Sequence, residues 1–121
     1  MFEKSFNKIK YLVVIIFIIS CENQKQDLKL PSIFSDHMVL QQKSNVSFWG
    51  KSNSNERITI SASWGEFKSI NTNNKGEWEL KLKTPEAGGP HQIEVKSDSQ
   101  MVIYNDVLVG EVWIASGQSN M

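Results

Sequence analysis

The end of the sequence carries a serine in a setting that favours nucleophilic chemistry. A nearly continuous apolar segment, 107–115, is followed by Ser116-Gly117-Gln118-Ser119-Asn120-Met121. Gly117 lets the backbone bend sharply and come close to a substrate. A serine after such a bend, at the start of a helix, lies where free N–H groups stabilise developing negative charge. Ser119 is therefore the candidate nucleophile, and the alternative is a helix N-cap or a residue in a frayed end.

A serine nucleophile needs a base, and the sequence contains two histidines, His37 and His91. His91 follows a Gly-Gly-Pro turn and begins a predicted strand. We interpret both histidines as turn or surface residues. Asp36 and Asp106 occupy turn-like positions, where a carboxylate that caps backbone N–H groups is a sufficient explanation. None of these four residues is assigned as a partner of Ser119.

Composition excludes several classes of function. The 121 residues suffice for one domain of ordinary size. The 13 basic and 13 acidic residues give a formal net charge of zero, which argues against a nucleic-acid-binding protein. The single cysteine excludes an internal disulfide and a Cys-rich zinc site. With 40% hydrophobic residues the chain has enough apolar material for a core. We expect no metal and no cofactor.

The first residues are typical of an export signal. Lysines precede an apolar run, 12–19, which ends at Ser20-Cys21 and is followed by a polar stretch. As a helix the run would extend about 12 Å, against about 30 Å for a bilayer core. The arrangement resembles a bacterial lipoprotein signal, with Cys21 as the lipidated residue; the alternative is a plain signal peptide with an incidental cysteine. We expect a cell-envelope protein, either lipid-anchored to the membrane or periplasmic.

Alternating apolar and polar residues predict strands through the middle of the chain. Polar, Gly- and Pro-containing turns separate them, and residues 73–76 are predicted to close a hairpin. This spacing favours a small antiparallel β-sandwich of jelly-roll or immunoglobulin-like type, with Phe48 and Trp78 in its core rather than on a ligand face. The predicted strands are 46–50, 57–62, 67–70, 78–83, 92–96 and 102–104.

Segment 107–115 differs from the preceding strands because its second half lacks alternation. Such a segment is typical of a strand buried on both faces, as in a parallel sheet covered by helices. Two interpretations remain open. Either the segment pairs with the sandwich, or it is the first strand of an α/β domain.

Several motifs, in order and at suitable spacing, resemble the SGNH (GDSL-type) hydrolases in the form seen in the sialate O-acetylesterases. The resemblance spans residues 30–121. Its segments are 30–41 (LPSIFSDHMVLQ), 76–78 (GEW), 87–90 (AGGP) and 106–121, which ends in GQSNM.

The resemblance implies a carbohydrate esterase that removes O-acetyl groups from sialic acid or other glycans. Ser119 would attack the acetyl carbonyl, its own N–H would be one oxyanion donor, and Gly117 would support the turn. The family's catalytic His and Asp lie near the end of its hydrolase domain and have no counterpart in this sequence. We therefore expect an N-terminal part of such an enzyme, inactive by itself. The alternative is a glycan-binding or structural surface lipoprotein without catalysis.

The resemblance and the composition together predict a division of the chain. A signal peptide is expected over 1–20, a polar spacer over 21–29 and the β-sandwich over 30–106. The start of a truncated SGNH hydrolase domain is expected over 107–121. The expected partners are an O-acetylated glycan and, through Cys21, the membrane, with no nucleic acid.

Overall fold

The computed structural model describes residues 25–115. Cys21, Gly117 and Ser119 lie outside the described residues. Within them the fold is mainly β, as predicted, and no helix is present. The strands are β1 (Val39–Gln41), β2 (Asn45–Lys51), β3 (Arg57–Ala62), β4 (Phe67–Asn71), β5 (Glu77–Lys83), β6 (Gly88–Lys96) and β7 (Met101–Gly110).

The strands form a five-stranded sheet of order β1-β7-β6-β3-β4 and a two-stranded sheet of β2 and β5. Strand β1 pairs with β7 in parallel, with Val39 opposite Leu108 and Gln41 opposite Gly110. The other pairs are antiparallel. The prediction of a purely antiparallel fold is wrong at the β1–β7 pair. A parallel pair needs a long connection, and here β2 to β6 supply it. The jelly-roll or immunoglobulin-like type stays a prediction.

Both sheets contribute to one hydrophobic core. In β5 the buried Trp78, Leu80 and Leu82 alternate with exposed charged residues, as the sequence predicts. Phe48 is fully buried, so the interpretation of Phe48 and Trp78 as core residues is confirmed. The fully buried apolar side chains of the cluster are Phe48, Ile58, Ile60, Leu82, Ile93, Val95 and Val107. Apolar burial on this scale is the main favourable contribution to folding.

Strand β7 runs through the predicted domain boundary after residue 106. Val107 and Val109 are buried, whereas Leu108 between them is 43% exposed. The strand prediction for 107–115 is therefore wrong in two respects. Residues 107–110 alternate because only one face of the sheet is covered, and residues 111–115 have no regular secondary structure. The interpretation that the segment pairs with the β fold holds as far as Gly110, and a hydrolase domain beyond it stays a prediction.

The turn at residues 73–76 has the predicted chemistry but a different role. Asn73 Oδ1 accepts hydrogen bonds from the N–H groups of Lys75 and Glu77, each at 2.9 Å. Gly76 has a φ of 76°, and a Cβ there would overlap the carbonyl of Ser52. The flanking strands β4 and β5 belong to different sheets. The turn thus transfers the chain between sheets and does not close a hairpin.

Residues 25–115 contain no helix that is long and apolar enough to cross a membrane.

Candidate functional site

The candidate nucleophile and its supports lie just beyond the described residues, so the structure shows what leads to them. We call residues 110–112 the exit segment, because β7 ends there and the chain continues toward Gly117 and Ser119. Beyond it, Trp113 and Ile114 are strongly exposed.

Two glutamines at the end of β1 hold the exit segment. Gln42 N–H donates to the carbonyl of Gly110 at 2.8 Å. Gln41 Oε1 accepts from Val112 N–H at 2.8 Å, and Gln41 Nε2 donates to Glu111 Oε2 at 3.1 Å. Gln42 Nε2 donates to the other carboxylate oxygen, Glu111 Oε1. We call this arrangement the glutamine clamp. It fixes three consecutive residues where the chain leaves the sheet.

The clamp also affects the ionisation of Glu111. Hydrogen bonds from Gln42, and then from Gln41, favour the charged form and hold the pKa of Glu111 below its ordinary value. The carboxylate therefore remains an acceptor for both amides over the whole neutral range. Residues 41 and 111 lie within the segments that resemble the esterases, and residue 42 follows the first of them, but the sequence alone does not reveal that the three meet.

We expect Gln41→Ala to loosen the exit segment without unfolding the domain. The change removes the acceptor for Val112 N–H and a donor to Glu111. Amide exchange at Val112 should accelerate about 5- to 10-fold, the equivalent of one net hydrogen bond. The free energy of unfolding should stay within about 0.5 kcal/mol. Gln92→Ala, which removes the exposed bond from Gln92 Nε2 to Asn105 Oδ1, is the control. Unchanged exchange at Val112 would contradict the clamp.

The predicted turn and surface residues form contacts of their own. His37 Nδ1 lies 2.5 Å from Asp106 Oδ2, and the two side chains are 76% and 51% exposed. Both residues have positive φ, 66° and 52°. Asp36 Oδ1 accepts from Asn105 N–H at 2.7 Å, which confirms its capping role. The sequence alone does not predict the His37–Asp106 pair, which ties the loop before β1 to β7.

His91 lies against a different turn. Its Nδ1 is 3.4 Å from Ser63 Oγ, and its ring meets the Trp64 indole edge-on at 5.0 Å between centroids. Ser63 Oγ already accepts from Gln92 N–H at 3.0 Å. The contact therefore joins β6 to the β3–β4 turn, consistent with the predicted turn or surface role. In the part of the chain that the structure describes, no group of three or more His, Cys, Asp or Glu could hold a metal ion.

A buried carboxylate stabilises the loops at the opposite end of the sheets. Glu56 is buried, and its Oε2 accepts from Ser52 Oγ and from Asn53 N–H at 3.0 Å. Its Oε1 accepts from Asp98 N–H at 3.2 Å. Burial alone would raise the pKa of Glu56, but the hydrogen bonds from Ser52, Asn53 and Asp98 outweigh it and lower the pKa. Because it bonds groups from two loops, Glu56 has a structural role.

We expect Glu56→Gln to reduce the free energy of unfolding by about 2–3 kcal/mol at pH 7, because an amide cannot accept all of these donors. The lowered pKa means that the carboxylate stabilises the fold above its ordinary pKa of 4.5. That stability is lost as the pH falls through the lower pKa of the folded state. Denaturant unfolding at several pH values should show the two proteins converge in acid. Glu86→Gln, at an exposed residue, is the control. A difference that grows in acid would contradict this assignment.

Comparison with solved structures points to a class of enzyme. The fold matches the crystal structure of a carbohydrate acetylesterase from Xanthomonas citri, with a TM-score of 0.72 and 36% sequence identity. The match covers 78% of this chain and 22% of that chain. No family model matches the sequence.

Curated relatives refine the class. The chain is 30% identical over 104 residues to the sialate O-acetylesterase of Rattus norvegicus, covering 77% of this chain and 19% of the relative. It is 26% identical over 103 residues to that of Homo sapiens, covering 77% of this chain and 20% of the relative. The predicted resemblance to the sialate O-acetylesterase family is thus confirmed. The chain spans about a fifth of the length of the relatives it matches.

Proposed function

We propose that this chain is part of an exported carbohydrate acetylesterase that removes O-acetyl groups from glycans. The observation that carries the proposal is the 36% identity and shared fold with the Xanthomonas citri carbohydrate acetylesterase. The sialate O-acetylesterase relatives favour the same substrate class, with O-acetylated sialic acid as one member. Because each match covers only about a fifth of the relative, the activity belongs to the protein of which these residues form a part.

The chemistry assigned to Ser119 is acyl transfer. Its Oγ attacks the acetyl carbonyl carbon, a base takes the hydroxyl proton, and the sugar oxygen leaves with a proton as the acetyl group moves to the serine. Water then releases acetate by the reverse sequence. The N–H of Ser119 would stabilise the oxyanion, and Gly117 would let the backbone turn to present it. The base is assigned outside residues 25–115, because the family that the chain resembles places its catalytic His and Asp near the end of the hydrolase domain.

In this proposal the β domain directs the chain toward the reaction centre. The glutamine clamp fixes the exit segment, and β1 and β6 hold β7 on both sides. Precise orientation of a nucleophile contributes strongly to catalysis, because small displacements are costly. The domain therefore acts as a rigid base for the segment that bears Ser119.

We further propose export to the bacterial cell envelope, with Cys21 as the site of lipidation. The support is the sequence pattern, a positive start and an apolar run that ends directly before the single cysteine. Mass spectrometry of the mature N-terminus tests it. A diacylglycerol adduct on Cys21 is expected, and an unmodified cysteine would leave only a plain signal peptide.

A fluorophosphonate probe tests the nucleophile directly. Applied to the complete gene product, it should phosphonylate Ser119 and no other serine, and peptide mass spectrometry should locate the adduct. The Ser119→Ala protein should remain unlabelled. Labelling at a different serine, or the same labelling in the variant, would refute the assignment.

The alternative is a glycan-binding or structural surface lipoprotein without catalysis. It shares the β domain and the proposed anchor but assigns no chemistry to Ser119. Glycan binding without any labelled serine would favour it over the esterase.

A further inference from the structure

The outer face of the two-stranded sheet carries an open cavity of about 650 Å³. We call it the Trp49 groove. Its wall includes side chains of β2 and β5 and of the turn before β5, namely Trp49, Lys51, Asn73, Glu77, Trp78 and Glu79. The volume lies within the range of small-molecule sites. The groove is separate from the exit segment, since no residue of 110–112 lines it.

The indole of Trp49 is both exposed and held in place. The residue is 42% exposed. Its ring meets that of Phe34 edge-on, with centroids 4.9 Å apart and planes at 74°. Phe34 is itself stacked on the fully buried Phe48 at 4.7 Å. This packing fixes the Trp49 ring before any ligand binds. A ligand that stacks on the ring therefore pays little free energy for immobilising the side chain.

Hydrogen-bond donors and acceptors both flank the indole of Trp49. Glu79 is opposite Trp49 in the β2–β5 register, and Glu77 is opposite Lys51. Asn73 Nδ2 donates to Glu77 Oε2 at 3.2 Å and orients that carboxylate. The carboxylates accept hydrogen bonds and the ammonium group donates them. An aromatic face beside such groups suits a sugar ring, which presents apolar C–H groups on its face and hydroxyl groups at its edge.

Charge in the groove favours a neutral ligand. The lysines at 29 and 51 offset the carboxylates of Glu77 and Glu79, so the wall has no excess of either sign. A polyanion such as a nucleic acid requires a basic surface.

We propose that the Trp49 groove binds a neutral pyranose chain by stacking a sugar ring on Trp49. The ligand class rests on the proposed function, because a carbohydrate acetylesterase acts on decorated glycans. Binding itself requires neither Ser119 nor an acetyl group. The groove would hold the backbone of a polysaccharide while its acetylated positions are hydrolysed elsewhere in the protein.

Nuclear magnetic resonance of the side-chain indole N–H groups tests the proposal in the full chain. The 121 residues contain four tryptophans, so four indole signals report on this part of the protein. Addition of xylohexaose or cellohexaose should shift the signal of Trp49 saturably. The Trp64 signal should stay in place, because its N–H donates to the carbonyl of Lys83 at 3.0 Å, outside the groove.

Substitutions give the decisive comparison. Trp49→Ala should raise the Kd for the bound oligosaccharide at least about tenfold. Trp49→Leu keeps apolar contact with Phe34 and should raise the Kd by the same factor. Because this variant preserves packing, its loss of binding cannot be attributed to a folding defect. Phe67→Ala removes a ring that is 64% exposed on the other sheet and should leave the Kd unchanged.

No shift with either oligosaccharide, or an unchanged Kd in both Trp49 variants, would overturn the proposal. Neither result bears on labelling of Ser119, so failure of the groove and failure of the esterase are distinguishable.

Discussion

The Ser119→Ala variant of the complete gene product is expected to lose acetyl-ester hydrolysis by a factor on the order of 10⁴ or more in kcat/KM. The reason is that in the proposed mechanism Ser119 forms the acyl intermediate, and binding and oxyanion stabilisation alone give only a small residual rate. A chromogenic acetyl ester provides the measurement, with an acetylated oligosaccharide as the second substrate.

Ser116→Ala is the matched control, because it also removes a serine hydroxyl from the segment 116–121. It should retain most of the activity. The thermal unfolding midpoints of both variants should equal that of the wild type, so that loss of activity cannot be attributed to loss of the fold. Comparable losses in both variants, or full activity in Ser119→Ala, would remove Ser119 from the mechanism.

Phe48→Ala is expected to lower the free energy of unfolding by about 3–5 kcal/mol. Phe48 is fully buried in β2 and stacks on Phe34 with centroids 4.7 Å apart. Truncation removes apolar burial and leaves a cavity that the surrounding strands cannot fill. Because domains of this size are stable by about 5–15 kcal/mol, the loss is a large fraction of the total. Urea unfolding monitored by tryptophan fluorescence measures it.

Phe67→Ala provides the comparison at the other extreme of burial. Phe67 is 64% exposed at the start of β4, so its truncation should change the free energy of unfolding by less than about 1 kcal/mol. Equal losses in the two variants would mean that Phe48 does not organise the core. A loss in Phe48→Ala accompanied by a changed denaturant slope would indicate an altered unfolded state rather than a cavity.

The strands themselves could be predicted from the sequence because alternation is a local property. In β3 the predicted and observed limits coincide, and in β5 the predicted strand begins one residue late. Because every second residue of β5 is charged, only the face with Trp78, Leu80 and Leu82 could point into the core. Strand β1, by contrast, has only three residues and carries no periodicity that could be recognised.

Strand pairing could not be predicted, because alternation does not identify a partner. The turn at 73–76 has hairpin chemistry, yet β4 and β5 join different sheets. The same limitation applies to the segment after residue 106. Its apolar content predicted burial on both faces, whereas pairing with β6 and β1 buries only Val107 and Val109 and leaves Leu108 exposed.

The candidate site likewise combines a local sequence motif with contacts between residues that are distant in the sequence. The spacing of Gly117 and Ser119 is a weak signal by itself, and it indicates a nucleophile only together with the other resembling segments over 30–121, so the assignment stays a prediction. The glutamine clamp joins residues 70 positions apart, Gln41 and Glu111, and no local pattern links them. The His37–Asp106 pair spans 69 positions and was equally hidden. Such contacts become visible only when the sheet order is known.

The sheet order has a consequence for the timing of folding. Among the described strands β7 is the last to be synthesised, yet it lies between β1, the first of them, and β6. Neither neighbour can complete its ladder until the ribosome has delivered the chain through Gly110, and such distant pairings form slowly. The five-stranded sheet of the described residues therefore closes only after β7, which lies in its interior, has been synthesised.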